Sequence, residues 1–197
     1  MEYQQLAALA SFAFASTASP GPNNIMLMTS GANVGFLRTI PHMLGIVLGF
    51  SLMVTLIGLG IAELFASYPL LLQGLQVGCV IYLIYLAINI ALSRPSDGPA
   101  LSFKPMSFWA AASFQWINPK AWSMALAAVN IHNSAASWQG VVMIALVFAA
   151  VNVPSVTLWT LAGQQSKALL SDHSRKVGFN LIMAALLLAS ILPTILP

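Results

Sequence analysis

The groups in this chain whose types and spacing could act on a solute are one lysine and a few amides, gathered around two proline interruptions. The first interruption is Ser19-Pro20-Gly21-Pro22-Asn23-Asn24, and the second is Asn118-Pro119-Lys120, with Gln115 one turn before it. A proline inside a helix removes one backbone donor and clashes with the preceding turn. In an apolar surrounding every carbonyl freed in this way must find a partner or line a wet cavity. A second helix starting near Asn23 and Asn24 would present unpaired N–H groups. Either asparagine can cap that end, and the amides favour a carboxylate. Lys120 lies roughly ten residues from either end of its apolar stretch, about 15 Å at the helical rise, which is far for snorkelling. A lysine at such depth is expected to face a bundle interior or a watery path. No acidic residue accompanies it, since Glu2, Glu63, Asp97 and Asp172 all fall outside the apolar runs. One cation, helix-end amides and neutral polar groups (Asn152 among them) suit a zwitterion or anion with a small uncharged side chain. A cationic side chain would want a buried carboxylate.

The elements that must position these groups follow from composition. Of 197 residues, 59% are hydrophobic and only 6% charged, whereas a soluble domain carries about a quarter charged residues. Such a surface is covered by a bilayer and not by water. The net charge of +3 comes from scattered residues, so neither a nucleic-acid footprint nor a polybasic lipid-binding segment is present. Cys79, the single cysteine, reads as a small buried hydrophobe. The apolar start of the chain has Glu2 and no basic residue before Arg38, so it reads as a retained first helix and not a cleaved signal. Stretches of about 20 apolar residues predict six transmembrane helices, over residues 6–30, 40–62, 70–92, 108–129, 138–162 and 177–196. The loops after the first, third and fifth contain six of the seven basic residues, Arg38, Arg94, Lys104, Lys167, Arg175 and Lys176. By the positive-inside tendency these loops are cytoplasmic, and both termini lie outside the cytoplasm of a bacterial inner membrane.

The chain reads as one all-α membrane domain in two three-helix halves, residues 1–92 and 108–197, joined by a cytoplasmic linker over 93–107. An odd number of spans per half inverts the second copy. Pro20 and Pro119 are 99 residues apart, so each half opens on a broken helix, the pattern of an inverted-repeat transporter with its site at discontinuous helices. Gly45 with Gly49, and Gly74 with Gly78, have the spacing of close helix contacts. Trp109, Trp138, Tyr68 and Trp159 read as interfacial residues, and Pro154 as a kink in the fifth helix. Trp116 is either interfacial or a cavity wall. His42, near the start of the second helix, is either an interfacial histidine or a proton-linked group. Together with His132 and His173 it is too dispersed for a metal or catalytic cluster. An intramembrane enzyme and a non-transporting assembly subunit are the rival classes. The first lacks a catalytic constellation, and the second leaves the paired breaks and Lys120 unexplained.

The run from Ser19 to Asn24 with Gly31, Gly35, Gly45 and Gly49 resembles the amino-terminal signature of the LysE/RhtB amino-acid exporter family. The run Gly78-Cys79-Val80-Ile81-Tyr82-Leu83 resembles its third-helix motif, and residues 108–122, with Gln115, Asn118, Pro119 and Lys120, its fourth. Lys104-Pro105-Met106-Ser107-Phe108-Trp109 is similar to the cysteine and O-acetylserine exporter branch. The missing membrane carboxylate departs from the lysine-exporting branch. The resemblance implies efflux of amino acids driven by the proton gradient. The expected substrate site is Pro20, Gly21, Pro22, Asn23, Asn24, Gln115, Asn118, Pro119 and Lys120. Lys120 would hold the substrate carboxylate while Asn23 and Asn118 orient it. The expected partners are a neutral amino acid and the lipid bilayer, with a homodimer left open and no nucleic acid. No cofactor, metal or catalytic residue is expected.

Overall fold

The computed structural model describes residues 3–93, 103–133, 137–166 and 172–192, and among these every regular element is helical. Most of the expected linker (94–102), Glu2, Lys167 and the last residues of the expected sixth span lie outside the described residues. Helix α1 (Tyr3–Ala18) stops just before Pro20, and α2 (Pro22–Val34) starts on Pro22, whose missing N–H is harmless in a first turn. The turn into α3 (Phe36–Leu56) is made by Gly35 at φ 83°, a left-handed value that favours glycine. Two further helices, α6 (Phe108–Ile117) and α7 (Pro119–His132), meet at Asn118 and Pro119. Uninterrupted helices are α5 (Pro69–Leu92), α8 (Trp138–Ser166, continuous across Pro154) and α9 (His173–Ala189).

The second apolar stretch differs from the sequence reading. It starts at Phe36 and continues past residue 62 through a π-helical turn (Ile57–Ile61) into a short α4 (Ala62–Ser67). Gly60, at φ 99°, makes that bend. A π turn leaves no proline in the sequence to announce it. Three described helices are individually long and apolar enough to cross a membrane: Phe36–Ile61, Gln73–Leu92 and Trp138–Ser166. The halves α1 and α2, with 16 and 13 residues, reach that length only as a pair, as do α6 and α7 with 10 and 14. Rows such as Leu44, Leu48 and Leu52 on α3, and Val77, Ile81, Ile84 and Ile88 on α5, are exposed. An apolar outer face of this kind fits a lipid surrounding.

Helix α8 packs along α1, α2 and α3, α6 lies on α3, and α5 lies on α9. The contacts are close because glycine is there. A Cβ on Gly31 would strike the Thr160 carbonyl of α8, and one on Gly163 would strike the Met28 carbonyl of α2. Gly45 and Gly49 sit in the same way against Phe108, Ala111 and Ala112 of α6, as their spacing predicts. Gly74 and Gly78 do not: among the described residues nothing lies within 4 Å of the space a Cβ would fill there. They occupy an outward face of α5, so small-xxx-small spacing alone did not distinguish a contact face from an open one. Near the end of α2 that leads into Gly35, Asn33 donates to Asn180 (3.0 Å), which donates to the Ser93 carbonyl (3.0 Å), tying α2, α9 and the end of α5 together.

Candidate functional site

At the first break the last carbonyls of α1 have no helical partner. Four consecutive carbonyls, the last two of α1 and those of Ser19 and Pro20 just beyond it, are nevertheless satisfied by side chains. The Thr17 carbonyl accepts from Asn24 Nδ2 (2.8 Å) and Ser155 Oγ (3.0 Å). The Ala18 carbonyl accepts from Trp159 Nε1 (3.1 Å). Asn24 Nδ2 also reaches the Ser19 carbonyl (2.8 Å), which accepts Lys120 Nζ at 2.6 Å. The same ammonium reaches Ser19 Oγ (2.9 Å) and the Pro20 carbonyl (3.3 Å). Lys120 thus crosses from the second break to the first and spends its three donors there.

Electrostatics explains why the lysine stays. Lys120 sits in the first turn of α7, where a cation is disfavoured by the positive end of its own helix dipole. Its head lies instead among the carbonyls that end α1, the negative end of another helix. Gly21 gives it room: a Cβ there would come within 2.9 Å of Lys120 Cδ and 3.1 Å of Nζ. Gly21 itself is extended, with φ 179°, so the requirement is for space and not for an unusual backbone.

The two breaks are joined a second time. Asn23 Nδ2 donates to Gln115 Oε1 (2.9 Å), and Gln115 Nε2 points back at Asn23 Oδ1 (3.4 Å) while holding the Ala111 carbonyl (2.8 Å). Gln115 is fully buried, so this amide pair is set in the protein interior. Asn118 caps α7, its side chain accepting from the Lys120 N–H (3.1 Å). Pro119 occupies the first position of that helix. The cap expected at α2 is absent, because Gly21 takes the N-cap position and the asparagine side chains turn to α1 and α6.

Around these groups lies a cavity of about 20 Å³, lined by Gly21, Asn23, Asn24, Gln115, Asn118 and Lys120 among others. All expected site residues except Pro20 and Pro119 border it together with Pro22. Pro20 contributes its carbonyl to Lys120, and Pro119 sets the start of α7. The volume holds about one water and no amino acid. Sequence reasoning missed three partners of the break, Ser19, Ser155 and Trp159, as site residues. Trp159 in particular had read as interfacial, yet it donates to the break. Asn152, which also lines the cavity, had been noticed only as a polar group. Trp116 packs its ring on Trp122 (6.0 Å between centroids), and its carbonyl accepts from Trp122 Nε1 (2.7 Å). The Trp122 indole thus caps the end of α6, and Trp116 does not line the cavity.

A second, larger cavity of about 350 Å³ opens between α2, α3, α5 and residues 103–110. His42 borders it and is completely buried among the helices. Its Nδ1 lies 3.4 Å from Ser30 Oγ, and its Nε2 has no partner.

Comparison with known proteins gives a consistent picture. The family model described as LysE type translocator matches residues 14–190. The chain is 30% identical over 188 residues to a cysteine/O-acetylserine efflux protein of Escherichia coli O139:H28 (strain E24377A / ETEC), across 93% of each chain. It is likewise 30% identical over 187 residues to proteins of the same description from Escherichia coli (strain K12) and Shigella sonnei (strain Ss046). Those matches cover 92% of this chain and 93% of each relative. No solved structure matches the chain.

Proposed function

The chain belongs to the LysE type translocator family, and from that premise we propose that it exports small neutral amino acids or close metabolites across the bacterial inner membrane. Membership makes it a multi-pass membrane transporter and not an enzyme. The proposed substrate site is the midplane cavity, formed by residues 20–24 and 115–120.

The observation that carries this reading is the hold of Lys120 on the Ser19 and Pro20 oxygens. A zwitterion can replace that contact in full. Its carboxylate takes the ammonium of Lys120, and its own α-ammonium takes the carbonyls that Lys120 gives up. Asn23, Gln115 and Asn118 orient the bound solute. Cysteine and O-acetylserine, named in the descriptions of the relatives, are both small zwitterions with neutral side chains, and we propose them as first substrates.

Two inverted repeats, residues 1–92 and 108–197 around a linker at 93–107, give six spans in a single transporter domain. The packing supports that symmetry. Exchanging the halves turns the contact of α8 with α1 into that of α3 with α6 and maps the pairing of α5 with α9 onto itself, whereas the broad contact of α8 with α2 has only a slight counterpart between α3 and α7. Both termini lie outside the cytoplasm, by the distribution of basic residues. The narrow midplane cavity corresponds to a closed conformation, and alternating access opens it to one side at a time, driven by the proton gradient. Purified protein in liposomes, loaded with unlabelled solute and offered a panel of labelled amino acids, is the test. Counterflow of small neutral amino acids is expected. Counterflow of none of them by well-inserted protein would end the proposal.

A further inference from the structure

The larger cavity bears on how solute reaches the midplane. It lies at the end of the bundle where α5 ends and residues 103–110 begin, bounded by Met26 and Ser30 of α2, His42 of α3, Asn89 and Ser93 at the end of α5, and Ala110 of α6. Its volume of about 350 Å³ falls in the range of small-molecule sites, roughly 300–1,000 Å³. Most of its polar wall is already satisfied. Asn89 donates to the Tyr85 carbonyl, Ser93 Oγ to the Asn89 carbonyl, and the Asn180 amide holds the Ser93 carbonyl. His42 Nε2 is buried and has no such partner. Among the described residues it is the one buried side-chain N or O atom without a hydrogen-bond partner.

Buried polar atoms are very rarely left unpaired, because the lost hydration is not recovered. An orphan buried just behind a cavity wall is therefore a group that a solute atom can satisfy once a small shift of the wall uncovers it. On the other side of the ring, Nδ1 lies 3.4 Å from Ser30 Oγ. Lys104, exposed at the rim, adds a cation at the mouth. The two cavities are also neighbours along the same helices. Met26 borders this one and Asn23 the other, three residues apart on α2, about one turn. Ala110 and Gln115 are related in the same way on α6, about 8 Å apart. The Asn23–Gln115 amide pair stands between them.

We propose that this cavity is a second solute site, a loading station in which His42 Nε2 binds a small zwitterionic amino acid before it passes the Asn23–Gln115 pair to Lys120. Lys104 draws the carboxylate to the mouth. The inference rests on the exporter reading given above, and its test separates the two.

The test is equilibrium dialysis of radiolabelled O-acetylserine against the full chain in nanodiscs, run beside liposome counterflow. Lys120→Met disables the midplane site, so counterflow is expected to vanish while binding persists. Adding His42→Leu is expected to weaken that residual binding about tenfold or more, and His42→Gln, which keeps a donor, to restore part of it. Ala110→Trp puts a bulky side chain at another lining position, on α6, and is expected to lose the same binding. It serves as the check should His42→Leu fold poorly. Loss of all binding in Lys120→Met, with wild-type protein active in counterflow, would overturn the loading site and leave the exporter reading intact. Residual binding indifferent to both His42→Leu and Ala110→Trp would overturn it too. Wild-type protein inactive toward the whole amino-acid panel would instead sink the exporter reading.

Discussion

Replacing Lys120 by methionine separates two roles that the structure superimposes, because the ammonium that is proposed to bind substrate also caps α1. The structural share can be estimated from the partners left behind. Without Lys120, the Ser19 carbonyl keeps Asn24 Nδ2 at 2.8 Å, and Ser19 Oγ keeps its own bond to the Ser16 carbonyl at 2.9 Å. Only the Pro20 carbonyl loses its one side-chain donor, from the longest of the three contacts, 3.3 Å. One unsatisfied carbonyl costs about 1–3 kcal/mol, and the low end applies because this contact is exposed. The functional share is larger. A substrate carboxylate deprived of its buried cation loses about 3–5 kcal/mol, which is roughly a hundredfold or more in affinity. The Lys120→Met protein is therefore expected to insert, purify as a monodisperse species and melt only slightly earlier, while counterflow collapses. Lys120→Arg keeps the charge but presents a planar fork to a site that now receives a compact ammonium, and retains part of the activity. Counterflow by Lys120→Met at the parental rate would refute the substrate role and leave Lys120 as a helix cap. A Lys120→Met chain that fails to fold would show that the break, and not the solute, is what the lysine serves.

Other perturbations test the surroundings of that contact. Gly21→Ala places a methyl group where Lys120 Cδ and Nζ now lie, so it should displace the ammonium and slow counterflow with little change in melting temperature; unchanged transport kinetics would argue against the contact. Gly31→Ala and Gly163→Ala press a methyl group onto a backbone carbonyl of the neighbouring helix and should destabilise the protein by about 1–3 kcal/mol, whereas Gly78→Ala, which meets nothing, should be neutral in the same thermal assay. Asn23→Leu and Gln115→Leu each orphan the other amide, and a double-mutant cycle on melting should give a coupling of about 0.5–3 kcal/mol; additivity would show the pair to be incidental. A reporter active only outside the cytoplasm, fused to the carboxyl terminus, should give signal, and silence in a well-expressed fusion would invert the proposed topology.

The two breaks were legible in the sequence because proline acts locally. It removes a donor wherever it stands, and although α3 and α8 run on through Pro41 and Pro154, the helices stop at residues 20–22 and at Asn118-Pro119, where glycine or asparagine stands beside the proline. Apolar length likewise located α5 and α8 to within a few residues. What could not be read was who satisfies the freed carbonyls. Ser155 and Trp159 lie 138 and 141 residues from the oxygens they cap, and only the packing of α8 on α1 brings them there. For the same reason Trp159 reads as an interfacial residue in the sequence, and nothing there tells that His42 turns inward. Sequence depth along a helix says nothing of which face turns inward. Gly60 escaped notice because a glycine in an apolar run is as often a packing residue as a bend. The glycine pairs make the same point from the other side, since identical spacing gives a tight contact at Gly45 and Gly49 and open space at Gly74 and Gly78.

The way the first break is satisfied also bears on selectivity. With Lys120 in place, the carbonyls of Thr17, Ala18, Ser19 and Pro20 all have side-chain partners without any solute. Whatever opens the cavity must replace both members of the contact it breaks. An acid lacking an amine would occupy Lys120 but strip the Ser19 and Pro20 oxygens of their cation. An amine lacking a carboxylate would set a second positive charge against Lys120, and the described carboxylates, Glu63 and Asp172, are exposed and remote in sequence from the breaks. A cationic side chain meets the same repulsion. A zwitterion exchanges one ammonium–carbonyl contact for another and adds a carboxylate–ammonium pair. On the proposed reading, then, discrimination against lysine and arginine follows from the break itself, before any side-chain pocket is considered.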